Sequence, residues 1–217
     1  MRILLLTATQ AELDQLNLPS SPKRQIETFI TGVGPSFALA NLLRYYSVHS
    51  NETFDYIIQV GLGGCFDHSV NLGAVFCIEN DQFLAGAWEN ESTFKSVDEM
   101  GFNSSLIHIG YDFQTVQSIV ESLQIPGAKA ITVSTIESLA HRNLVLKDSF
   151  KDVKIESMEG ACLYEIAPFF KAKAIQLRAV SNYVGERDKS NWNFGIAFAA
   201  LSKITNQVID KIYENEN

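Results

Sequence analysis

The sequence predicts an α/β fold in which helices cover a largely parallel β-sheet. Short apolar runs typical of buried strands alternate along the chain with longer segments of helical periodicity. Several of these runs stop at a glycine or a small polar residue, as strands do where they give way to loops. Alternation of this kind is typical of layered α/β domains, in which ligands bind beyond the carboxyl ends of the strands.

Six buried or half-buried strands are predicted. They cover residues 2–7, 25–31, 56–60, 129–134, 154–157 and 174–181. A further hairpin is predicted from residues 74–78 and 82–87, with its turn at Asn80-Asp81. Residues 88–105 are polar and rich in glutamate, and we expect them to form a lid or an interface loop.

Six helices are predicted over residues 11–16, 36–46, 115–123, 143–150, 159–167 and 193–213. Pro168 should end the fifth helix, because proline cannot continue the helical hydrogen bonds. The sixth helix repeats apolar residues at helical spacing, which predicts a stripe facing the core. The stripe comprises Phe194, Ala197, Phe198, Leu201, Ile204, Val208 and Ile212.

The length and charge of the chain limit its possible partners. A chain of 217 residues that is 46% hydrophobic fits one domain spanning residues 1–217. Its net charge of −8, without a lysine or arginine cluster, argues against nucleic-acid and membrane partners. A small anionic ligand held by one or two arginines remains possible. No apolar run approaches the length of a transmembrane span.

The cysteines and histidines predict neither a metal nor a cofactor. Cys65, Cys77 and Cys162 lack a CxxC spacing, so we expect buried thiols in a cytoplasmic protein. No histidine pair has the spacing of a zinc motif. Two glycine-rich segments that follow strands have Phe37 and Phe66 where a dinucleotide fingerprint needs its last glycine.

Polar residues where predicted strands end are the candidate site residues. Asn182 closes a strand in which an unpaired polar side chain would be costly. Its amide carries both a donor and an acceptor, which suits one edge of a purine. Glu12 and Glu159 lie at two other strand-to-helix junctions. Each could simply complement a helix dipole, but together they could divide the work of glycoside hydrolysis, one polarising water and one gripping sugar hydroxyls.

The glycine segments and the loop after Asn182 are open to two interpretations. The segments 32–34 and 61–64 are either tight turns that need positive φ or backbone that approaches a sugar closely. Arg187 is either a solvated loop residue or a bidentate partner for a substrate carboxylate. Trp192 should open the last helix and also wall a cavity.

These segments together resemble the nucleoside phosphorylase / methylthioadenosine nucleosidase superfamily over nearly the whole chain. Within it, the chain is most similar to the futalosine hydrolases. The resemblance is carried by Glu12 after the first strand, Gly61-Leu62-Gly63-Gly64, Glu156-Ser157-Met158-Glu159-Gly160 and Arg178-Ala179-Val180-Ser181-Asn182. The continuation from Tyr183 to Trp192 is the most specific part. The resemblance implies a nucleoside phosphorylase-like three-layer αβα sandwich around a mixed, largely parallel sheet, assembled as a homodimer or higher homo-oligomer.

The same resemblance implies roles for individual residues. Glu12 matches the carboxylate that activates the attacking water, and Asn182 matches the residue that faces purine N7. Substrate-binding positions match those that contact the ribose: Gly63, Gly64, Met158 and Glu159. The implied substrate is a small-molecule nucleoside, with no cofactor.

Departures from the adenine-specific nucleosidases favour a different base. Those enzymes carry Asp where this chain has Asn182, Ser where it has Leu62, and Gly-Asp-x-Phe-Ile at residues 135–139. A 6-oxopurine presents acceptors at O6 and N7, to which an amide can donate and which a carboxylate would repel. The base-stacking residue is left unidentified by these departures.

The resemblance therefore implies hydrolysis of futalosine to hypoxanthine and dehypoxanthine futalosine in menaquinone biosynthesis. A methylthioadenosine/adenosylhomocysteine-type nucleosidase and a nucleoside phosphorylase are the alternatives among enzymes. A phosphorylase would need a phosphate site, for which Arg24 and Arg44 are the nearby candidates. A catalytically silent nucleoside-binding protein is the alternative outside enzymes.

Overall fold

The computed structural model describes residues 1–18, 24–102, 113–150 and 152–215. Nine β-strands and six α-helices lie in these ranges. The strands are β1 (Arg2–Thr7), β2 (Gln25–Ile30), β3 (Tyr56–Cys65), β4 (Val75–Phe83), β5 (Gly86–Asn90), β6 (Thr93–Ser96), β7 (Gly127–Thr132), β8 (Val153–Ser157) and β9 (Lys173–Tyr183). The helices are α1 (Gln10–Asp14), α2 (Pro35–His49), α3 (Gln114–Ser122), α4 (Ala140–Ser149), α5 (Ala161–Phe170) and α6 (Phe194–Glu214).

Strand β3 is the centre of a mixed sheet in the described part of the chain. It pairs in parallel with β1 and β9 and antiparallel with β8. Strands β7 and β4 complete a ring from β8 back to β9, and β2 extends the sheet beyond β1. Five of the seven pairings in this sheet are parallel, so the predicted mixed, largely parallel sheet is confirmed.

Helices cover both faces of the sheet because each central strand is apolar on both sides. In β1, Ile3 and Leu5 join a core cluster that also contains residues of α3 and α6. Leu4 and Leu6 point the other way, into a cluster with residues of α2 and α5. Alternate side chains of a strand point to opposite faces, so these two clusters make the three predicted layers.

The predicted hairpin at Asn80-Asp81 is wrong, because β4 runs without interruption through both residues. Asp81 is tolerated inside the strand because its carboxylate is hydrogen-bonded. It accepts from Thr132 Oγ1 at 2.8 Å and from Gln176 Nε2 at 3.1 Å. The pairing of β4 with β7 shifts register between Ile78 and Asn80, just before the polar pair.

Pro168 does not end the fifth helix, which continues to Phe170. The helix ends instead at Lys171, which adopts the left-handed conformation with φ of 55°. Its N–H donates to the Pro168 carbonyl, and the N–H of Ala172 donates to the Ala167 carbonyl. A left-handed residue with such reversed hydrogen bonds is a common way for a helix to end.

Residues 88–102 also differ from the expected lid or loop. Strands β5 and β6 pair antiparallel as a separate two-stranded sheet, in which the Trp88 ring lies edge-on to the Phe94 ring. Residues 103–105 of the same predicted segment lie outside the described residues. None of the helices in the described ranges combines the length and apolar character needed to cross a bilayer.

Close packing between β4, β9 and α5 can be tested at Gly160, the residue that precedes α5. A Cβ there would stand 2.0 Å from Asp81 Oδ2 and 2.5 Å from Gln176 Nε2. We expect Gly160→Ala to lower the free energy of unfolding by about 1–3 kcal/mol in urea titration, because the buried polar pair must separate. Gly195→Ala is the control, since the nearest atom to its Cβ is 4.0 Å away. Equal stabilities for both variants would contradict this packing.

Candidate active site

A cavity of about 610 Å³ lies at the carboxyl ends of the central strands. Its size is typical of a site for a small organic ligand. The cavity draws residues from all six segments that follow predicted strands. Those residues are Ala8, Thr9 and Glu12, then Val33, Leu62 to Gly64, Ile136, Glu156 to Glu159, and Ser181 with Asn182.

Glu12 both caps a helix and faces the cavity. Thr9 and Glu12 form a capping box at the start of α1. Oε2 of Glu12 accepts hydrogen bonds from the backbone N–H groups of Ala8 and Thr9 at 3.1 and 3.0 Å. Oε1 points toward Gly61, where an added Cβ would stand 3.3 Å from it. The helix-capping interpretation and the catalytic interpretation therefore apply to different oxygens of one carboxylate.

Glu159 is a buried carboxylate held by the loop before α2. It is 6% exposed, and its Oε1 accepts from the N–H of Gly34 at 2.9 Å. Gly34 has φ of 90°, which favours glycine, and this conformation presents its N–H to the carboxylate. Burial raises the pKa of Glu159, while Arg178 and the Gly34 hydrogen bond act in the opposite direction.

Arg178 lies behind the cavity in strand β9 and is only 1% exposed. Nε and Nη2 have no hydrogen-bond partner among the described residues. A Cβ added at Gly61 would stand 2.3 Å from Nη1, so the guanidinium fits only because residue 61 has no side chain. Burial raises the pKa values of both Glu159 and Asp81, to about 7 for Asp81, and the positive charge of Arg178 opposes that rise in each.

The side-chain amide of Asn182 is oriented by its neighbours. Its Nδ2 donates to the Tyr183 carbonyl at 3.1 Å, and its Oδ1 accepts from Ser181 Oγ at 2.8 Å. The opposite orientation would set Oδ1 against a carbonyl oxygen, so the amide is fixed. The second hydrogen of Nδ2 is left to donate to a ligand.

Gly63 and Gly64 line the cavity, but they do not form a turn. Strand β3 continues through both to Cys65, and the bulge in its pairing with β9 falls between them. A Cβ at Gly63 would stand 2.8 Å from Ile155 Cγ2, so close strand packing requires the glycine. The predicted positive φ occurs in the other segment, at Gly32 and Gly34.

The remaining predicted residues divide between the cavity wall and the surface. Met158 and Trp192 line the cavity. Trp192 precedes α6, and its Nε1 donates to the Glu186 carbonyl at 3.0 Å. Arg187 is exposed and lies outside the cavity lining, with its guanidinium carbon 6.0 Å from the centre of the Trp192 ring.

Glu156 contributes a third carboxyl group that the sequence interpretation left without a role. It lines the cavity, is 6% exposed, and its Oε2 has no hydrogen-bond partner among the described residues. Burial raises its pKa to about 7; the charge of Glu137 acts in the same direction and that of Arg187 opposes it. This carboxyl is therefore partly protonated at neutral pH.

Several other cavity residues were missed or misassigned from the sequence. Phe194 and Phe198 line the cavity, although helical spacing placed them in the core, and Phe194 is 41% exposed. Lys189, in a short 3₁₀ turn, supplies a cation. Ile136 also reaches the cavity from the unassigned segment 135–139. The spacing of apolar residues cannot distinguish a stripe facing the core from one facing a cavity.

The described residues hold no cluster of three or more histidine, cysteine, aspartate or glutamate side chains arranged to bind a metal ion. Cys65, Cys77 and Cys162 are buried free thiols, and burial raises their pKa values. They therefore behave as small apolar side chains rather than as nucleophiles.

Comparisons with known proteins show what the fold and the sequence resemble. No family model matches the chain. A solved 5′-methylthioadenosine/S-adenosylhomocysteine (MTA/SAH) nucleosidase from S. pneumoniae superposes with a TM-score of 0.76 at 14% identity, covering 98% of this chain and 100% of that chain. The chain has the fold of the MTA/SAH nucleosidases.

Two relatives are similar in sequence as well. A futalosine hydrolase from Streptomyces coelicolor is 28% identical over 173 residues, which cover 79% of this chain and 73% of the relative. An MTA/SAH nucleosidase from Staphylococcus carnosus is 26% identical over 168 residues, which cover 71% of this chain and 68% of the relative. The predicted resemblance to futalosine hydrolase and its superfamily is confirmed.

The shifted pKa of Glu156 predicts a measurable effect of pH on stability. The pKa of this carboxyl rises from 4.5 to about 7 on folding. At a pH low enough to protonate it in both the folded and the unfolded protein, this shift does not change the free energy of unfolding. The cost appears as pH rises above 4.5 and is complete above about 7, where it reaches about 3 kcal/mol. Glu156→Gln cannot ionise, so its advantage in free energy of unfolding should grow from about pH 4 to about pH 8. Urea titrations that give a constant difference would contradict the burial of this carboxyl.

Proposed function

We propose that this protein hydrolyses the N-glycosidic bond of futalosine, releasing hypoxanthine and dehypoxanthine futalosine. The observation that carries the proposal is the presence of Glu12, Glu159 and Asn182 in one cavity. These residues supply a base for water, a partner for sugar hydroxyls and a donor for the leaving purine. The reaction needs no metal and no redox group.

The ribose lies against Met158, and its hydroxyls donate to Glu159. Glu159 can accept them because the N–H of Gly34 occupies Oε1 and fixes the carboxylate without neutralising it. As the bond from the anomeric carbon to the purine stretches, positive charge grows on the sugar. Glu159 and Glu12 stabilise that charge, and Arg178 behind them limits their mutual repulsion.

Glu12 activates the water that adds to the sugar cation. Oε2 is committed to helix α1, so Oε1 accepts the proton from water as the new carbon–oxygen bond forms. The electron pair of the broken bond leaves with the purine, which takes up a proton from solvent while Glu12 gives its proton back to solvent, so hypoxanthine leaves neutral and the carboxylate is restored. Asn182 donates through Nδ2 toward N7 and O6, where that negative charge accumulates, and its fixed orientation makes it a poor partner for the amino group of adenine.

The similarity to the Streptomyces coelicolor futalosine hydrolase supports this substrate over a methylthioadenosine-type one. The structure gives little support to a phosphorylase. Arg24 is paired with Asp210, and Arg44 is exposed and donates to Asn41 of its own helix. Neither lines the cavity. Rate dependence on added phosphate separates the two reactions.

Homo-oligomerisation is part of the proposal. The segment from the end of β2 into α2 exposes apolar side chains beside the cavity, with Val33 at 50% and Phe37 at 71%. Val33 also lines the cavity. Exposed apolar groups in such a position favour cover by a second copy of the chain.

Incubation with futalosine, inosine and methylthioadenosine in phosphate-free buffer tests the reaction. We expect hypoxanthine from futalosine, and Glu12→Gln should lower the rate about a hundred- to ten-thousand-fold with little change in binding. In this variant the glutamine oxygen can still accept the hydrogen bonds that cap α1. Its NH₂ group takes the place of the oxygen that would accept the proton from water. Asp14→Asn is the matched control, because Asp14 lies on the same helix and is bonded to Gln10. Full activity of Glu12→Gln, or binding without release of base from the unmodified protein, would rule out the mechanism.

A second set of variants tests which residue binds the carboxylate of the benzoate-like tail of futalosine. Arg187 was predicted to bind its carboxylate, and Lys189 is nearer the cavity, beside the aromatic wall of Trp192, Phe194 and Phe198. Losing a charge-assisted hydrogen bond costs about 1.5–3 kcal/mol, so the effective variant should raise KM for futalosine about ten- to a hundred-fold. Its KM for inosine, which lacks the tail, should change little.

Comparing Arg187→Ala with Lys189→Ala assigns the role to one cation. Lys203→Ala, an exposed lysine further along α6, controls for the change in net charge. Equal effects on futalosine and inosine would exclude both residues as tail partners.

A further inference from the structure

The turn that carries Glu159 is held from behind by buried side chains of the sheet. Glu159 and Gly160 lie between β8 and α5, and Gly160 has no side chain with which to cap the helix. The first N–H groups of a helix need acceptors from elsewhere. Thr132 of β7 supplies one, since its Oγ1 accepts from the N–H of Ala161 at 2.8 Å. Gln59 of β3 donates from Nε2 to the Glu159 carbonyl at 3.1 Å.

Both of these side chains lead back to Asp81 of β4. The Thr132 hydroxyl donates to Asp81 Oδ1 at 2.8 Å. On the other side, Gln176 of β9 donates from Nε2 to Asp81 Oδ2 at 3.1 Å and to Gln59 Oε1 at 3.4 Å. Asp81 therefore stands at the start of two short chains of hydrogen bonds, which end on either side of Gly160.

The direction of each chain is set by the acceptor at its start. A hydroxyl group has one hydrogen, so Thr132 can offer a lone pair to helix α5 because it gives its hydrogen to Asp81. Gln176 Oε1 has no hydrogen-bond partner among the described residues, so the acceptors around Nε2 fix the orientation of this amide. Gln59 then presents Oε1 to Gln176 and Nε2 to the Glu159 carbonyl.

We propose that Asp81 is a positioning residue for ribose binding, because through these two chains it fixes the turn that presents Met158 and Glu159 to the cavity. The inference rests on the proposed function only in giving Glu159 the ribose hydroxyls. Asp81 does not line the cavity, so it acts through the turn. Gly160 permits the close approach, since an added Cβ would stand 2.0 Å from Asp81 Oδ2.

The groups around Asp81 allow it to accept on both oxygens above neutral pH. Burial raises its pKa to about 7, and the charge of Glu159 acts in the same direction. The hydrogen bond from Thr132 and the charge of Arg178 oppose that rise. Cys162 of α5 also lies within electrostatic reach, but burial raises the pKa of its thiol to about 12, so it stays neutral. At about pH 8 the carboxylate is therefore the major form of Asp81.

Calorimetric binding of inosine and 2′,3′-dideoxyinosine at about pH 8 tests the inference. Glu12→Gln serves as the parent protein, so that neither nucleoside is consumed. The parent should prefer inosine about tenfold or more, because only inosine offers ribose hydroxyls to Glu159.

Adding Asp81→Asn to the parent should weaken inosine about tenfold and change the affinity for dideoxyinosine little. Asparagine keeps the shape of the side chain. Its NH₂ group, however, either opposes Gln176 Nε2 or leaves the Thr132 hydroxyl without an acceptor. Thermal melting of the variant shows that it is folded.

Thr132→Val and Thr132→Ser form a matched pair in the same parent. Valine keeps the volume and removes the hydroxyl, so it should weaken inosine about three- to tenfold and speed hydrogen exchange at the Ala161 amide. Serine keeps the hydroxyl and should restore both. Thr205→Val should change neither, because Thr205 is fully buried in α6 and its Oγ1 has no hydrogen-bond partner among the described residues.

The outcomes separate this inference from the proposed function. Equal losses for both nucleosides in Asp81→Asn, or a parent that does not distinguish them, would overturn the role of Asp81. If the unmodified protein cleaves futalosine while Asp81→Asn keeps the full preference for inosine, the inference alone fails. If the preference depends on Asp81 as described and the unmodified protein does not cleave futalosine, the proposed function alone fails.

Discussion

The charge of one buried guanidinium governs the interior around the cavity. Arg178 is almost fully enclosed, and its charge opposes the rise in pKa that burial causes at the carboxyls of Glu159 and Asp81. Burial acts against ionisation of both. Without a cation at this point, ionising either carboxyl would cost still more. Glycine at position 61 follows from the same requirement, because any side chain there would occupy the space of the guanidinium.

Strand β3 brings the chemistry of distant segments to one place. It has three strand neighbours, so the ends of β1, β8 and β9 meet beside its glycine-rich end. Each of those ends leads to a side chain of the proposed mechanism: Glu12, Glu159 and Asn182. The glycines of β3 allow neighbouring strands and the guanidinium to approach closely. Glycines with positive φ lie instead in the loop before α2.

Much of this arrangement could be predicted from the sequence, because a polar residue at the end of an apolar run is unusual and can be recognised from its immediate neighbours in the chain. Asn182 and Glu159 were found in that way. Features that depend on distant partners could not be found. Asp81 looks like a turn residue until Thr132 and Gln176 are seen to satisfy it. Likewise, Phe198 has core spacing, and only the tertiary structure shows that its side of α6 borders a cavity.

The double use of Glu12 has a consequence for how the site is prepared. Because one of its oxygens caps helix α1, the carboxylate is held in position by the folded chain itself, before any ligand arrives. Helix formation therefore offsets the entropy cost of immobilising this long acidic side chain when the chain folds. That cost does not arise again each time a ligand binds. An aspartate would keep the charge but is one methylene too short to serve both ends, so the length of this side chain is as much a requirement of the architecture as its acidity.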